Sequence, residues 1–356
     1  MSKNKEGKKE GKSQGKTSSK TSSKTENKNK DARKQAEATA GKQRAIQQAQ
    51  DRRDQATEAQ SSAEEKPAMQ AGQREYPEPP LPDQRLGKPG LESDMDVRPA
   101  FSAPGYRGSA KLDGFATIVT GGDSGIGRAV AILFAREGAD VAIVYLNEHE
   151  DAEETKRCVE AEGRRCVLIP GDVKDPAFCR NAVDATLREF GKLDVLVNNA
   201  AFQEHAESIE DLSEERFDET LRTNVYGYFH MAKAAVPHLK EGGSIINSGS
   251  VTGLRGSGGL IDYSTTKGAI HAFTMSLASS LASRGIRVNA VAPGPVWTPF
   301  NPADKPPKEL KKFGAKTLMG RPAQPEELSP AYVFLAAPAC ASYITGMILP
   351  VTGSPG

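Results

Sequence analysis

From Phe115 onward the chain alternates short apolar runs with longer stretches of helical period, and few folds accept that pattern. The runs read as buried strands at Ala116–Thr120, Val141–Tyr145, Cys166–Ile169, Val195–Asn198, Ser244–Asn247, Arg287–Val291 and Met347–Val351. Helices are expected between them at Ile126–Glu137, Asp151–Glu162, Pro176–Phe190, Ser213–Leu239, Tyr263–Ser283 and Glu326–Ala336. Antiparallel strands can be joined by tight hairpins, whereas parallel strands need a crossover of a dozen residues or more. The expected fold is therefore α/β, a doubly wound parallel seven-stranded sheet of Rossmann type spanning 113–356. Ligands of such sheets sit beyond the carboxyl ends of the strands.

The residues ahead of this region differ sharply in composition. The whole chain is nearly neutral, with 47 basic and 46 acidic side chains, but residues 1–30 alone carry ten lysines against three glutamates. No Phe, Trp, Tyr, Leu or Val occurs before Tyr76, so residues 1–75 read as a disordered Lys-rich tail unable to offset the entropy of ordering its backbone. Such a cationic arm attracts polyanions, and nucleic acid or an anionic surface is the partner it suggests. Residues 76–112 contain seven prolines and read as an extended arm laid over a surface. The four cysteines show no paired spacing, and no apolar run approaches the roughly 20 residues that span a bilayer. A cytoplasmic setting with reduced thiols is expected.

Directly after the first strand stands Thr120-Gly121-Gly122-Asp123-Ser124-Gly125-Ile126-Gly127, opening a helix. In that position Gly121 permits a tight turn, Gly125 lets backbone amides approach a pyrophosphate, and Gly127 lets helix pack closely on strand. Asp172 and Val173 after the third strand, and Asn198 through Ala200 after the fourth, fall where an adenine and its ribose would lie. Taken singly, an Asp there is usually a helix cap and an Asn-Asn pair a turn.

Tyr263 and Lys267 are four residues apart, on one face of a helix. A phenol is a poor acid–base group at neutral pH, and a neighbouring ammonium stabilises its phenolate. Ser250 lies 13 residues upstream, just beyond a strand, where its hydroxyl is placed to hold a substrate carbonyl oxygen. The five histidines are scattered without ligand spacing, so no metal is expected.

These residues in this order resemble the short-chain dehydrogenase/reductase family. A closer likeness, carried by the phrase through Arg128 and by Val291-Ala292-Pro293-Gly294-Pro295-Val296-Trp297-Thr298-Pro299, is to the branch of bacterial general stress oxidoreductases and plant glucose and ribitol dehydrogenase homologues. The resemblance implies that Tyr263 is the acid/base, that Lys267 lowers its pKa and holds the nicotinamide ribose, and that Ser250 orients the reacting oxygen. It also implies that Asn224 supports a proton-relay water and that Pro293, Gly294, Val296 and Thr298 line the nicotinamide carboxamide. A homotetramer and a small alcohol or carbonyl substrate, a sugar, polyol or aldehyde, follow from the same likeness. Two departures stand out: Gly249 replaces a usual Ser, and residues 253–260 are rich in glycine.

Cofactor choice is read after the second strand, where a carboxylate favours NAD and a basic group NADP. Tyr145-Leu146-Asn147 gives neither sign, Glu148 follows, and Ser124 is placed to hydrogen-bond a phosphate, a slight lean to NADP. Two other readings compete. One is a non-catalytic dinucleotide-binding protein acting through its basic tail, against which the intact Ser250, Tyr263 and Lys267 argue. The other is an enoyl reductase of the same fold, which usually spaces Tyr and Lys more widely.

Overall fold

The computed structural model describes residues 68–354 apart from Gln73. The tail up to residue 67 lies outside the described residues. Seven parallel strands form one sheet: β1 (Ala116–Thr120), β2 (Asp140–Tyr145), β3 (Cys166–Pro170), β4 (Val195–Asn198), β5 (Ser244–Ser248), β6 (Arg287–Pro293) and β7 (Ile348–Val351). Their order is β3-β2-β1-β4-β5-β6-β7, so the direction of winding reverses between β1 and β4. A crevice opens there at the strand carboxyl ends.

Helices cover both faces because each strand is apolar on both sides, as in β1, which is buried throughout. On one face the helix Gly125–Arg136 packs Val130, Leu133 and Phe134 over β1 and β2, and the helix Pro325–Ala336 packs Tyr332 and Val333 over β5 and β6. On the other, Pro176–Phe190, Gly227–Ala235 and Ile261–Leu281 contribute Cys179, Val183, Met231, Ala235 and Ala278.

The helix expected over Ser213–Leu239 is broken. Glu214–Leu221 passes through a π-helical segment, Arg222–Tyr226, into Gly227–Ala235, and the chain then closes in a 3-10 turn. Single π turns inside α-helices concentrate at functional sites. Here the widened turn holds the buried Asn224 against two other elements: its amide donates to the Phe202 carbonyl (2.9 Å) and Thr266 Oγ1 (3.0 Å) and accepts the Phe202 N–H (2.7 Å).

The proline-rich arm forms a third apolar cluster with the segment after β6. Leu81, Leu86 and Met95 pack on Trp297, Ala303 and Leu310, and the Trp297 indole donates to the Val97 carbonyl (2.8 Å). Contacts begin ahead of the expected boundary at residue 76. The Met69 amide donates to the Met319 carbonyl (2.8 Å), and Arg74 pairs with Glu326 at 2.6 Å. These anchors are polar, so an argument from missing apolar side chains does not see them.

Candidate active site

A cavity of about 750 Å³ lies along the carboxyl ends of the strands and is lined by the glycine turn, the ends of β2 to β6 and the arm residues Lys88, Pro89 and Gly90. Its volume falls within the range that holds a small molecule or cofactor. Glycine shapes one end. Gly121 has φ +62°, and a Cβ on Gly127 would stand 1.8 Å from the Gly121 carbonyl oxygen, so only glycine lets the helix start this close to the turn.

Gly125 lines the cavity, and its amide is already engaged. It donates to Glu92 Oε2 (2.7 Å), a carboxylate supplied by the arm. Glu92 is fully buried and is held by Arg128 Nη1 at 2.8 Å. Burial pushes the Glu92 carboxyl up to about 7 against the pull of Arg128. Ile126, the next residue, lines the cavity, as do Asp123 and Ser124. Ser124 Oγ donates to Asp123 Oδ2 (2.9 Å), and burial, reinforced by Glu148, pushes Asp123 up to about 7.

Asp172 and Val173 reach the same cavity, Asp172 through a turn in which its Oδ1 accepts the Lys174 amide (2.8 Å). Asn198 does not. It is fully buried between strands, its Nδ2 donating to Asn247 Oδ1 (2.9 Å), because the last residue of β4 still points into the sheet. The residue of that run that serves the cavity is Asn199. It donates to the Gly121 carbonyl (3.1 Å) and accepts from Ser248 Oγ (3.0 Å), tying the glycine turn to β5, while Ala200 lines the wall as expected.

Ser250, Tyr263 and Lys267 come together on this cavity. Ser250 Oγ accepts from the Thr252 amide (3.1 Å). Lys267 is fully buried, donates to the Ser248 carbonyl (2.7 Å) and stands 5.3 Å from the Tyr263 ring centroid. Burial drives the two groups in opposite senses: it lowers Lys267 to about 7 and raises Tyr263, while the hydrogen bond with Ser250 pulls Tyr263 back. Asn224, expected beside them, does not line the cavity. Its amide is taken up by Phe202 and Thr266, so it fixes the wall behind Tyr263 and makes no direct approach to it.

Pro293, Gly294, Val296 and Thr298 line the cavity beyond β6. The segment that follows is latched down by Asp304, which accepts from Gln203 Nε2, the His205 amide (2.7 Å) and His205 Nδ1 (3.0 Å). Burial alone would raise the Asp304 carboxyl, but those bonds outweigh it and hold it below the usual range. Glu204, His205 and Asp304 have the side-chain types of a metal centre. Their oxygens and nitrogen are instead engaged with one another and with Lys88, which pairs with Glu204 at 3.0 Å.

Residues 121–353 match the family profile described as Enoyl-(Acyl carrier protein) reductase. The oxidoreductase YhdF of Bacillus subtilis is 55% identical over 272 residues, 76% of this chain and 94% of that protein. The chain belongs to the short-chain dehydrogenase/reductase family. General stress protein 39 of Bacillus subtilis is 51% identical over 77% of this chain and 96% of its own length. NADPH-dependent aldehyde reductase 1 of Arabidopsis thaliana is 46% identical over 75% and 94%. Among solved structures, a short-chain dehydrogenase from Burkholderia cenocepacia in complex with NADP superposes with a TM-score of 0.64 at 36% identity, covering 68% of this chain and 98% of that one. This family member is thus an oxidoreductase. Among the described residues no helix is long and apolar enough to cross a membrane.

Proposed function

We propose that this oxidoreductase uses a nicotinamide dinucleotide to interconvert a small alcohol and its carbonyl, of the sugar, polyol or aldehyde class. The observation that carries the reading is that Ser250, Tyr263 and Lys267 line one cavity with the glycine turn. The turn fits a dinucleotide: Gly121 and Gly127 leave backbone where any Cβ would intrude, and Ile126 brings the helix N-terminus to the cavity wall. When bound, the nicotinamide supplies or accepts the hydride at the substrate carbon. Tyr263 gives its proton to the carbonyl oxygen in reduction and takes it back in oxidation, and Ser250 Oγ holds that oxygen in place.

Lys267 makes this exchange possible in a dry cleft. Desolvation penalises a phenolate alone and an ammonium alone, and the penalty falls when the two charges form together. NADP is favoured over NAD on two grounds: Ser124 and Asn147 line the cavity, and solved relatives are complexes with NADP or NADPH. A role in stress is suggested by General stress protein 39.

Tyr263→Phe removes the proton carrier without touching the turn. Turnover should fall by about 10²- to 10⁴-fold while dinucleotide affinity stays within a few-fold. The assay follows nicotinamide absorbance over a panel of sugars, polyols and aldehydes with both cofactors. Parent-like kcat in the variant would reject the reading, and a tenfold or greater preference for NAD would reverse the cofactor choice.

A further inference from the structure

The departure at Gly249 has a physical cause on the neighbouring helix. A Cβ at position 249 would stand 2.4 Å from His271 Nε2, and one at position 253 would stand 2.8 Å from His271 Cε1. Glycine at 249 therefore makes the space that His271 fills, while glycine at 253 also clears the helix backbone at Lys267 (2.6 Å) and Gly268 (2.8 Å). The imidazole is buried, at 5% exposure, one helical turn beyond Lys267. Its Nε2 accepts the Ser250 N–H at 3.4 Å.

We propose that His271 is the positioning residue of Ser250: as a neutral Nδ1–H tautomer it accepts the Ser250 amide and fixes the turn that presents the Ser250 hydroxyl to substrate. A protonated imidazole has donors on both nitrogens and no acceptor, so it would face the Ser250 N–H with another N–H. The loop Ser248–Gly253 has no ionisable side chain besides hydroxyls, and Val291 and Pro293 of β6 at that level carry no charge, so Lys267 is the charged group that faces the ring. Burial first and Lys267 second lower the His271 pKa, which keeps the acceptor form in place at neutral pH. Acid should therefore cost activity through His271 as well as through the Tyr263–Lys267 pair. The proposal rests on the hydride-transfer reading for its kinetic consequences but not for its geometry.

The experiment compares parent, His271→Gln and His271→Leu in the full chain. Glutamine keeps an acceptor that cannot be protonated in this range, and leucine removes it. His271→Leu should lower kcat about tenfold or more with the cofactor KM within a few-fold. His271→Gln should recover most of kcat and lose the steeper lower section of the acid limb. An unchanged acid limb in His271→Gln overturns the proposal even where His271→Leu fails to fold. Nitrogen NMR of labelled histidine reads the tautomer directly. An Nε2–H tautomer refutes the proposal regardless of turnover, whereas an inactive parent with an Nδ1–H tautomer refutes only the hydride-transfer reading.

Discussion

Replacing Arg128 by methionine tests whether the arm and the glycine turn share one electrostatic centre. The guanidinium is fully buried, donates to the Asp123 carbonyl (3.0 Å), Thr155 Oγ1 (2.9 Å), Glu92 (2.8 Å), Glu154 (2.8 Å) and Asp151, and lies 4.8 Å from the Phe101 ring centroid. Methionine fills part of the volume but leaves Glu92 and Asp151, both at 0% exposure, without their closest cation, with Arg98 no nearer to Glu92 than 3.9 Å. Stranding a buried charge in this way costs about 3–5 kcal/mol.

The cost must depend on pH. The folded pKa of Glu92, about 7, already lies above its unfolded value of 4.5. A carboxyl raised on folding is fully accommodated below the unfolded value and becomes a liability as pH rises through the folded one. Without Arg128 the folded value climbs further, so the deficit of the variant should be larger at pH 8 than at pH 6. Adding Glu92→Gln should return a substantial part of it. Urea unfolding at the two pH values measures the deficit, and the melting temperature should fall by on the order of 10 °C at the higher one. A loss below about 1 kcal/mol at both pH values would show that Arg128 is not the centre described.

Lys267→Met should abolish turnover yet raise stability. The lysine folds with its pKa lowered from 10.5 to about 7, so the gain is full below about pH 7 and fades towards 10.5, as urea titration across that range will show. Removal of residues 1–67 should leave melting temperature and turnover nearly unchanged, whereas removal through residue 112 should expose Trp297 and Leu310 and destroy both. A large melting loss in the shorter deletion would contradict the anchoring seen from Met69 onward.

Strands and most helices were legible because period and composition carry them: Pro176–Phe190 matches residue for residue, with proline at its start and Gly191 in the left-handed region at its end. The Ser250, Tyr263 and Lys267 set was legible for the same local reason, being read from spacing on one helix and one strand end. Which of the adjacent Asn198 and Asn199 turns to the cavity was hidden, since strand alternation decides it and the exact end of β4 is not written in the residues. Glu92 and His271 were illegible on different grounds. Glu92 meets Gly125 across 33 residues and a loop, and His271 matters only because Gly249 lies against it. Contacts between distant segments leave no periodic trace in either one.

The arm also sets an order in time. Arg74 finds Glu326 across 252 residues, and a ribosome adding about 5–20 residues per second needs roughly 10–50 s to make that partner after the arm has emerged. For most of that interval β1, the glycine turn and β2 are outside, able to pair and pack locally, while Leu81 and Leu86 wait for Trp297 and Leu310. The cluster of the arm with Trp297 and Leu310 can therefore close only after the strands of the glycine turn have been made. Leu81, Leu86 and Met95, spaced among prolines that resist strand addition, spend those seconds in a segment ill suited to pairing with another chain.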